Sequence, residues 1–232
     1  MANKAHNVLI VGASRGLGLE FVRQYRADGA RVTATARDDA GLAAISALGA
    51  KPLRLDVADA ASASGLAWMI DGETFDTVFH VAGVYGPRTA GLEPPSIDDF
   101  DAVMHTNVLG AMRVLPSVAD ALAPPQSGQA VARIGIVSSR MGSIGLRTGT
   151  AGWTYRASKA AVNSVMKDAS IALAGKALCA AFHPGWVRTD MGGGDADIDA
   201  AESVAGMRRT LAALTPAQTG SFLNYDGAPL AW

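Results

Sequence analysis

The sequence is poor in cysteine, histidine and charged residues, and each shortage excludes a class of protein. Cys179 is the single cysteine, so no internal disulfide can form and a disulfide-stabilised secreted domain is excluded. The four histidines are far apart and form no H-x-x-x-H pair, so we expect no metal site. Charged residues make up 18% of the chain, the formal net charge is -1, and Lys and Arg form no run. Neither nucleic acid nor an anionic membrane is therefore an expected partner.

Long apolar runs are also missing. The apolar segment near the N-terminus is short and leads directly into glycines, which is unlike a signal peptide or a membrane span. We therefore expect a cytoplasmic protein. The hydrophobic content is nevertheless 49%, which is enough for a large core, and the length of 232 residues suits a single domain that covers residues 1–232.

The most informative stretch joins an apolar run to a set of glycines. Residues 8–11 (VLIV) predict a strand buried on both faces, and a helical pattern follows the spacing G-x-x-x-G-x-G. Glycine allows close approach of the backbone, and the N-terminus of the next helix presents N–H groups to a phosphate. The stretch predicts a phosphate-binding turn for a nucleotide cofactor, and its candidate residues are Gly12, Ser14, Arg15, Gly16, Leu17 and Gly18.

The same residues also match G-x-S-x-G, the nucleophile elbow of hydrolases, which likewise joins a strand to a helix. Ser14 would then be the nucleophile, with an Asp and His183 following it in the required order. The glycine turn alone does not distinguish a serine hydrolase from a nucleotide-binding protein.

Strand-like and helix-like segments alternate along the rest of the chain. Strands are predicted at 30–36, 51–55, 75–81, 130–137, 177–182 and 221–224, and 124–128 is predicted to be a surface connection. This alternation predicts an α/β protein with a doubly wound, Rossmann-like parallel sheet and helices on both faces. Ligands of such sheets bind beyond the carboxyl ends of the strands. A single long ligand is expected there, near Gly12, Arg37, Asp56, Gly83, Ser139 and Pro184.

A second chemical motif, Tyr155-x-x-x-Lys159, opens a helix predicted over 153–174. Residues four apart share a helix face, so both side chains can point into one site. A phenol has a pKa near 10, and a neighbouring ammonium favours its ionised form. Ser139, at the end of the preceding strand, can donate a hydrogen bond to a carbonyl oxygen. Together these groups can polarise a carbonyl and transfer a proton while a cofactor supplies hydride.

Over nearly its full length the chain resembles the short-chain dehydrogenases/reductases, and further the C-factor/sniffer-like carbonyl reductase branch. The ordered motifs that carry the resemblance are Gly12-x-x-x-Gly16-x-Gly18, Asp56-Val57, Ala82-Gly83, Asn107, Ser139, Tyr155-x-x-x-Lys159 and Pro184-Gly185. The resemblance implies an NADP(H)-dependent oxidoreductase that interconverts a small-molecule carbonyl and an alcohol. It also implies a homodimer or a homotetramer.

The resemblance also implies a role for each matching residue. Tyr155 is the general acid/base, and Ser139 orients the substrate carbonyl. Lys159 lowers the pKa of the tyrosine and binds the nicotinamide ribose, while Asn107 holds a water that extends the proton relay. Asp56 binds the adenine amino group. Further cofactor contacts are implied for Val57, Ala82, Gly83, Pro184, Gly185, Val187 and Thr189.

Two departures from the family pattern affect the site. His80-Val81 occupies the position where the family has Asn-Asn, next to the adenosine ribose. The separation between Ser139 and Tyr155 is also longer than is common, which leaves Ser138 as an alternative catalytic serine. Gly142 completes the family pattern S-x-x-G with Ser139 and favours that residue.

The cofactor preference is predicted from the end of the second strand. An NAD-specific site places an acidic residue there, whereas this chain has Ala36 followed by Arg37. Arg37 and Arg15 can form charge-assisted hydrogen bonds with the 2′-phosphate of NADP(H). NAD(H) is the alternative if Asp38 binds the ribose, although Asp38 is better explained as a helix cap.

Two further hypotheses concern regulation. A nucleotide-binding signalling protein of the C-factor type, with little turnover, is the alternative to an active reductase. The segment 186–199 contains three consecutive glycines, 192–194, and is predicted to form a lid over the substrate.

Overall fold

The protein was analysed as a computed structural model that describes residues 6–125 and 131–232. Seven parallel strands form one sheet within these ranges: β1 (Asn7–Val11), β2 (Arg31–Ala36), β3 (Lys51–Arg54), β4 (Thr77–His80), β5 (Ala132–Val137), β6 (Ala177–His183) and β7 (Ser221–Asn224). Their order is β3-β2-β1-β4-β5-β6-β7. The order reverses between β1 and β4, as in a doubly wound sheet. Of the predicted surface connection 124–128, residues 126–128 lie outside the described residues.

Helices connect the strands and cover both faces of the sheet. They are α1 (Gly16–Ala27), α2 (Asp39–Ala47), α3 (Ala60–Ser64), α4 (Leu66–Met69), α5 (Ile97–Met104), α6 (Gly110–Asp120), α7 (Trp153–Ala172) and α8 (Ala200–Ala213). In the described part of the chain, no helix combines the length and the apolar character that a membrane crossing requires.

The core consists of two apolar layers, one on each face of the sheet. In β1, Leu9 faces the layer beneath α6 and α7, whereas Ile10 faces the layer beneath α1 and α8. In the second layer the rings of Phe21 and Phe79 stack with centroids 4.1 Å apart. The expected α/β class, with a Rossmann-like parallel sheet and helices on both faces, is therefore confirmed.

The structure differs from the predicted elements in two helical regions. The helix predicted over 58–70 is interrupted at Gly65, whose N–H is shared between the carbonyl oxygens of Ala61 and Ser62 at 3.3 and 3.2 Å. This tighter turn separates α3 from α4. The helix predicted over 96–122 contains a π-helical turn, His105–Leu109, between α5 and α6. Pro116, where the sequence predicts a bend, lies inside α6.

The carboxyl ends of the parallel strands lie at one edge of the sheet. The connection after β4 is tied to β1, because the N–H of Val81 donates to the carbonyl oxygen of Val11 at 2.8 Å. The connection after β5 is tied to β6 in the same way, from Ser138 to Phe182 at 2.7 Å. The candidate residues that follow the strands are therefore gathered along this edge.

Candidate active site

The glycine turn after β1 is packed so closely that side chains are excluded. A Cβ at Gly12, where φ is +86°, would lie 2.6 Å from the backbone nitrogen and Cα of Ala82. A Cβ at Gly18 would lie 2.0 Å from the carbonyl oxygen of Gly12. The turn is also fixed to β2, because the N–H of Gly12 donates to the Thr35 hydroxyl at 3.0 Å. The glycine spacing thus holds α1 against the end of β1.

The N-terminus of α1 has the properties of an anion site. Within the described residues no side chain caps this helix and its first turn contains no acidic residue, so its first N–H groups remain available. A cleft separates this turn from the segment after β6, where the methyl group of Thr189 lies 3.6 Å from the position of a Cβ at Gly16. These uncapped donors beside a glycine-lined cleft fit the pyrophosphate of a dinucleotide.

The adenosine end of the site lies beyond β2 and β3. Asp38 caps α2, since its Oδ1 accepts from the N–H of Gly41 at 2.8 Å, as the sequence predicts. The Arg37 side chain is exposed and, among the described residues, makes no hydrogen bond or ion pair. One carboxylate oxygen of Asp56 accepts from the N–H of Ala58 at 2.9 Å, which fixes the direction of this side chain. Val57 is buried beside it, against the start of α6.

Arg15, one of the two arginines predicted to surround a 2′-phosphate, is paired with a carboxylate in this structure. The Arg15 guanidinium lies 3.1 Å from a carboxylate oxygen of Asp190, and both side chains are about three-quarters exposed. An exposed ion pair of this kind contributes about 0–1 kcal/mol, so Arg15 can exchange Asp190 for another anion at little cost.

Ser14 lies at this adenosine end. A Cβ at Gly41, in α2, would lie 2.6 Å from the Ser14 Cβ and 2.8 Å from that of Ala36. His183 instead lines a cavity beside Tyr155. No hydrogen bond joins Ser14 to a histidine in the described ranges, so the geometry does not support the nucleophile elbow.

Asn107 lies in the π-helical turn and is fixed by three hydrogen bonds. Its Oδ1 accepts from the N–H of Val84 at 2.8 Å, and its Nδ2 donates to the carbonyl oxygen of Val84 at 2.8 Å. Nδ2 also donates to the Ser158 hydroxyl at 2.9 Å. A Cβ at Gly83 would lie 3.2 Å from Asn107 Oδ1 and 3.4 Å from Lys159 Nζ. The structure therefore brings together Gly83, Asn107 and Lys159, as the motifs predict.

Lys159 is buried beneath the ring of Tyr155. Its Nζ donates to the carbonyl oxygen of Val137 at 2.9 Å and lies 5.6 Å from the Tyr155 ring centroid. Only 4% of the lysine is exposed, and this burial lowers its pKa to about 8. The ammonium thus lies over the face of the ring. The family pattern implies instead that it acts on the phenol hydroxyl and lowers its pKa.

The pKa of Tyr155 moves in the direction opposite to the expected one. Burial raises it to about 12, and the neighbouring Tyr85 adds to the rise, whereas a hydrogen bond between the Tyr155 and Ser139 side chains lowers it in part. In this structure, desolvation therefore outweighs the electrostatic stabilisation of the phenolate. The hydroxyl is protonated at neutral pH.

The two candidate serines differ in their partners. The Ser138 hydroxyl donates to the Asn163 carbonyl oxygen, Oδ1, at 2.6 Å and is thereby directed into α7. The Ser139 hydroxyl accepts from the N–H of Met141 at 3.1 Å and lines the same cavity as Tyr155. This arrangement favours Ser139 as the serine that faces a substrate carbonyl.

A cavity of about 530 Å³ opens in front of Ser139 and Tyr155. Residues of the glycine turn and of the segment after β6 form one part of its wall, and these predicted cofactor contacts are Leu17, Pro184, Gly185, Val187 and Thr189. The sequence does not single out the residues that form the other part, which include Tyr85, Arg88, Arg140, Arg156, Trp186 and Met191. The sequence composition predicts loops in this region, but no sequence pattern shows which side chains of these loops turn into the cavity.

Tyr85 is the most notable of these additional residues. Its ring stacks on the ring of Tyr155, with centroids 4.5 Å apart and an interplanar angle of 23°. The Arg88 guanidinium lies over Tyr85 at 4.9 Å from its centroid. A single stack of an arginine and two tyrosines therefore forms one wall of the cavity.

The predicted lid segment 186–199 is an ordered loop that closes on itself. Trp186 Nε1 donates to the carbonyl oxygen of Gly192 at 2.8 Å, and Arg188 donates to that of Ala196 at 2.8 Å. Arg88 donates to the carbonyl oxygen of Met191 at 3.0 Å. The segment thus contacts the loop that carries Arg88 directly, as well as the glycine turn through Asp190.

His80 is buried at the end of β4, where the family has asparagine. It is 4% exposed, and neither ring nitrogen has a hydrogen-bond partner in the described structure. Burial, with a contribution from the charge of Lys159, lowers its pKa to about 3. His80 is therefore neutral over the physiological range. Among the described residues no cluster of His, Cys, Asp and Glu could hold a metal ion.

The chain is similar to known proteins over most of its length. The family model described as short chain dehydrogenase matches residues 6–197. The C-signal of Myxococcus xanthus is 37% identical over 158 residues, which cover 68% of this chain and 92% of that protein. The structure of the carbonyl reductase Sniffer of D. melanogaster has a TM-score of 0.87 at 29% identity and covers 98% of this chain and 100% of that chain.

A third comparison is with an NADPH-bound carbonyl reductase from chicken fatty liver. Its TM-score is 0.87 at 29% identity, and the match covers 98% of this chain and 94% of that chain. The parallel sheet of this chain agrees with these structural matches. The chain belongs to the short-chain dehydrogenase/reductase family, and the resemblance seen in the sequence is confirmed.

Proposed function

We propose that the protein is an NADP(H)-dependent oxidoreductase that interconverts a small-molecule carbonyl and an alcohol. The observation that carries the proposal is that Ser139 and Tyr155 line the same cavity, with the Lys159 ammonium behind the tyrosine ring. Carbonyl reductases among the structural neighbours support the same chemistry.

The chain's own residues account for binding of the cofactor. The uncapped start of α1 would hold the pyrophosphate, Asp56 and Val57 the adenine, and Lys159 the nicotinamide ribose. Arg37 would bind a 2′-phosphate, so the chain should prefer NADP(H) to NAD(H). The NADPH bound in the chicken carbonyl reductase supports the same preference. Pro184, Gly185, Val187 and Thr189 would cover the nicotinamide, beside Ala82 and Gly83.

The reaction requires the side chains to hold a carbonyl and to supply a proton. When bound, the reduced cofactor supplies hydride to the carbonyl carbon. Ser139 and Tyr155 donate hydrogen bonds to the carbonyl oxygen, and Tyr155, protonated at neutral pH, provides the proton. Lys159, with a pKa of about 8, can restore that proton from the interior side. Asn107 fixes the π-helical turn beside Lys159 and is the proposed site of the relay water.

A signalling role with little turnover is the second candidate, because the C-signal of Myxococcus xanthus is a relative at 37% identity. Ser139, Tyr155, Lys159 and Asn107 are all present and in mutual proximity, which supports turnover. Measurement of NADPH oxidation with a panel of aldehydes, ketones and quinones separates the two candidates.

Tyr155→Phe tests the proposed chemistry. The substitution removes one hydroxyl and keeps the buried ring and its stack on Tyr85, so fold and NADPH affinity should be retained. We expect kcat to fall by about 10²–10⁴-fold, the usual contribution of a general acid. NADPH binding by fluorescence and thermal unfolding are the controls. Turnover that stays close to that of the wild type would remove Tyr155 from the reaction.

We place the protein in the cytoplasm, where the reduced nicotinamide cofactors are available, and expect no nucleic-acid partner because the formal net charge is -1. A homodimer or homotetramer is expected from the family. Cell fractionation and light scattering with mass determination would test these expectations.

A further inference from the structure

The charged side chains that line the active-site cavity are all of one sign. Arg88, Arg140 and Arg156 line it, and no Asp or Glu does so in the described part of the chain. This is a local property, because the formal net charge of the chain is -1. Cationic walls around a partly desolvated site raise the local concentration of anionic ligands.

The three guanidinium groups have capacity left for a ligand. Arg88 uses one nitrogen to donate to the carbonyl oxygen of Met191 at 3.0 Å, and Arg156 uses Nε to donate to that of Ala151 at 2.9 Å. The Arg140 side chain makes no hydrogen bond within the described residues. None of the three forms an ion pair there, and the nearby lid carboxylate of Asp190 is paired with Arg15.

The arginines are arranged around the reacting groups. Arg140 directly follows Ser139, and Arg156 directly follows Tyr155. Arg88 covers the outer face of Tyr85, whose inner face stacks on Tyr155. The charge of Arg140 also reaches the cavity histidine His183, because it reinforces the effect of burial that lowers the pKa of His183 to about 4.

The phosphates of the cofactor do not account for this cluster. We expect the pyrophosphate at the uncapped start of α1 and a 2′-phosphate at Arg37, and neither Arg15 nor Arg37 lines the cavity. The three cavity arginines lie instead with Tyr85, Trp186 and Met191, where the substrate must approach Ser139 and Tyr155.

We propose that the substrate carries an anionic group, a carboxylate or a phosphate, which Arg88, Arg140 and Arg156 hold while its carbonyl faces Ser139 and Tyr155. Guanidinium groups bind both anions through paired N–H donors. This inference rests on the proposed carbonyl chemistry and adds the substrate class to it.

Matched carbonyl compounds test the inference on the NADPH-loaded enzyme. Para-carboxybenzaldehyde is compared with its methyl ester, and glyceraldehyde phosphate with glyceraldehyde. We expect kcat/KM to be at least about tenfold higher for one anionic member, and the pair that shows the difference identifies carboxylate or phosphate. The advantage should shrink as ionic strength rises, because salt screens partly exposed charges.

Variants assign the effect to the arginines. In Arg88→Gln, Arg140→Gln and Arg156→Gln, the ratio of anionic to neutral kcat/KM should fall toward one, while the NADPH dissociation constant stays unchanged. Arg209→Gln, on the exposed side of α8, is the matched control and should keep the wild-type ratio. A raised NADPH dissociation constant in the cavity variants would assign the arginines to the cofactor and overturn the inference.

Direct titration separates failure of this inference from failure of the proposed function. Calorimetry on the NADP⁺-loaded protein compares para-(hydroxymethyl)benzoate with the neutral para-methylbenzyl alcohol. Tighter binding of the carboxylate, lost in the arginine variants, supports the inference even without turnover. Equal rates and equal affinities for anionic and neutral compounds would overturn it, while the carbonyl chemistry would be unaffected. Absence of NADPH-dependent reduction for every compound would contradict the proposed function instead.

Discussion

Single residues at the end of β5 show how adjacent, chemically identical side chains acquire different functions. Ser138 and Ser139 follow Val137 in extended backbone, so their side chains point to opposite faces of the sheet. Ser138 is buried against Asn163 of α7, whereas Ser139 lines the cavity together with Tyr155. The motif S-x-x-G favours Ser139 in the sequence, and the hydrogen bonds supply the physical reason.

Alanine substitutions at the two serines should therefore differ: one should mainly reduce turnover, and the other should mainly reduce stability. Ser139→Ala removes a donor to the carbonyl oxygen, and we expect kcat to fall by about 10²–10³-fold with little loss of stability. Ser138→Ala leaves the Asn163 carbonyl oxygen buried without its donor and should cost about 1–3 kcal/mol in the free energy of unfolding. Steady-state kinetics and urea unfolding of both variants check this. A larger kinetic defect in Ser138→Ala would exchange the two assignments.

His80 makes the protein sensitive to acid. Its pKa is about 3 in the folded state and near 6.5 when unfolded, so the unfolded state binds the proton more readily. The stability associated with neutral His80 is complete above about pH 6.5 and is lost progressively as the pH falls toward 3. At pH 5 this loss amounts to about 2 kcal/mol.

His80→Asn, which restores the family residue, should reduce the loss of stability between pH 7 and pH 5. The remaining loss includes His183, whose pKa burial lowers to about 4. Urea unfolding at both pH values gives the comparison. If the free energy of unfolding falls as much between pH 7 and pH 5 in His80→Asn as in the wild type, His80 is not the source of the acid sensitivity.

At the scale of elements, the segment 186–199 connects the loop that carries Arg88 with the glycine turn. The bridge between Val187 and Ile198 closes its base, and the Arg15–Asp190 pair holds its outer part. Gly192, Gly193 and Gly194 have no side chains to pack, and the exposed ion pair is weak. The link between the segment and the glycine turn is therefore weak, and a bound cofactor would have to replace or strengthen it.

Limited proteolysis measures this lid behaviour. We expect cleavage within 190–195 in the free protein and slower cleavage at saturating NADPH, because cofactor contacts with Val187 and Thr189 would fix the segment. Cleavage within α8 is followed as the control, because it reports global unfolding of the protein. Equal rates with and without NADPH would show that the segment does not close on the cofactor.

We expect the connection between β2 and α2 to determine cofactor preference. Asp38 is used as the cap of α2, and Arg37 remains exposed without a protein partner among the described residues. We expect kcat/KM to be higher for NADPH than for NADH. Arg37→Ala should lower the NADPH value by about 10–100-fold, with a much smaller effect on NADH, since a charged hydrogen bond is worth about 1.5–3 kcal/mol. A wild-type preference for NADH would contradict the assignment of Arg37.

At the scale of the whole molecule, the sequence predicts the sheet because its strands are apolar on both faces. The VLIV run of β1 packs into two different core layers, and such runs are recognisable without tertiary information. The break at Gly65 and the π-helical turn at His105–Leu109 were not predictable, because the residues there also fit a continuous α-helix. The extent of a single domain over 1–232 stays a prediction.

The site is only partly predictable for a similar reason. Gly12, Ser139, Tyr155 and Lys159 are marked by local spacing, since each motif lies within one turn or one helix. The stack of Tyr85 on Tyr155, the raised pKa of Tyr155 and the arginine-lined wall arise from contacts between segments distant in the sequence. We expect substrate specificity to depend on this second group.

Transfer of a deuterium label tests the central claim most directly. Wild-type protein is incubated with NADPH that carries deuterium at the transferable position of the nicotinamide, together with a carbonyl substrate from the panel, and the alcohol is analysed by mass spectrometry. We expect one deuterium on the former carbonyl carbon, formed in proportion to NADP⁺ produced, and almost none with Tyr155→Phe. An alcohol without deuterium, or equal labelling by Tyr155→Phe, would contradict the assignment of this chain as a hydride-transferring carbonyl reductase.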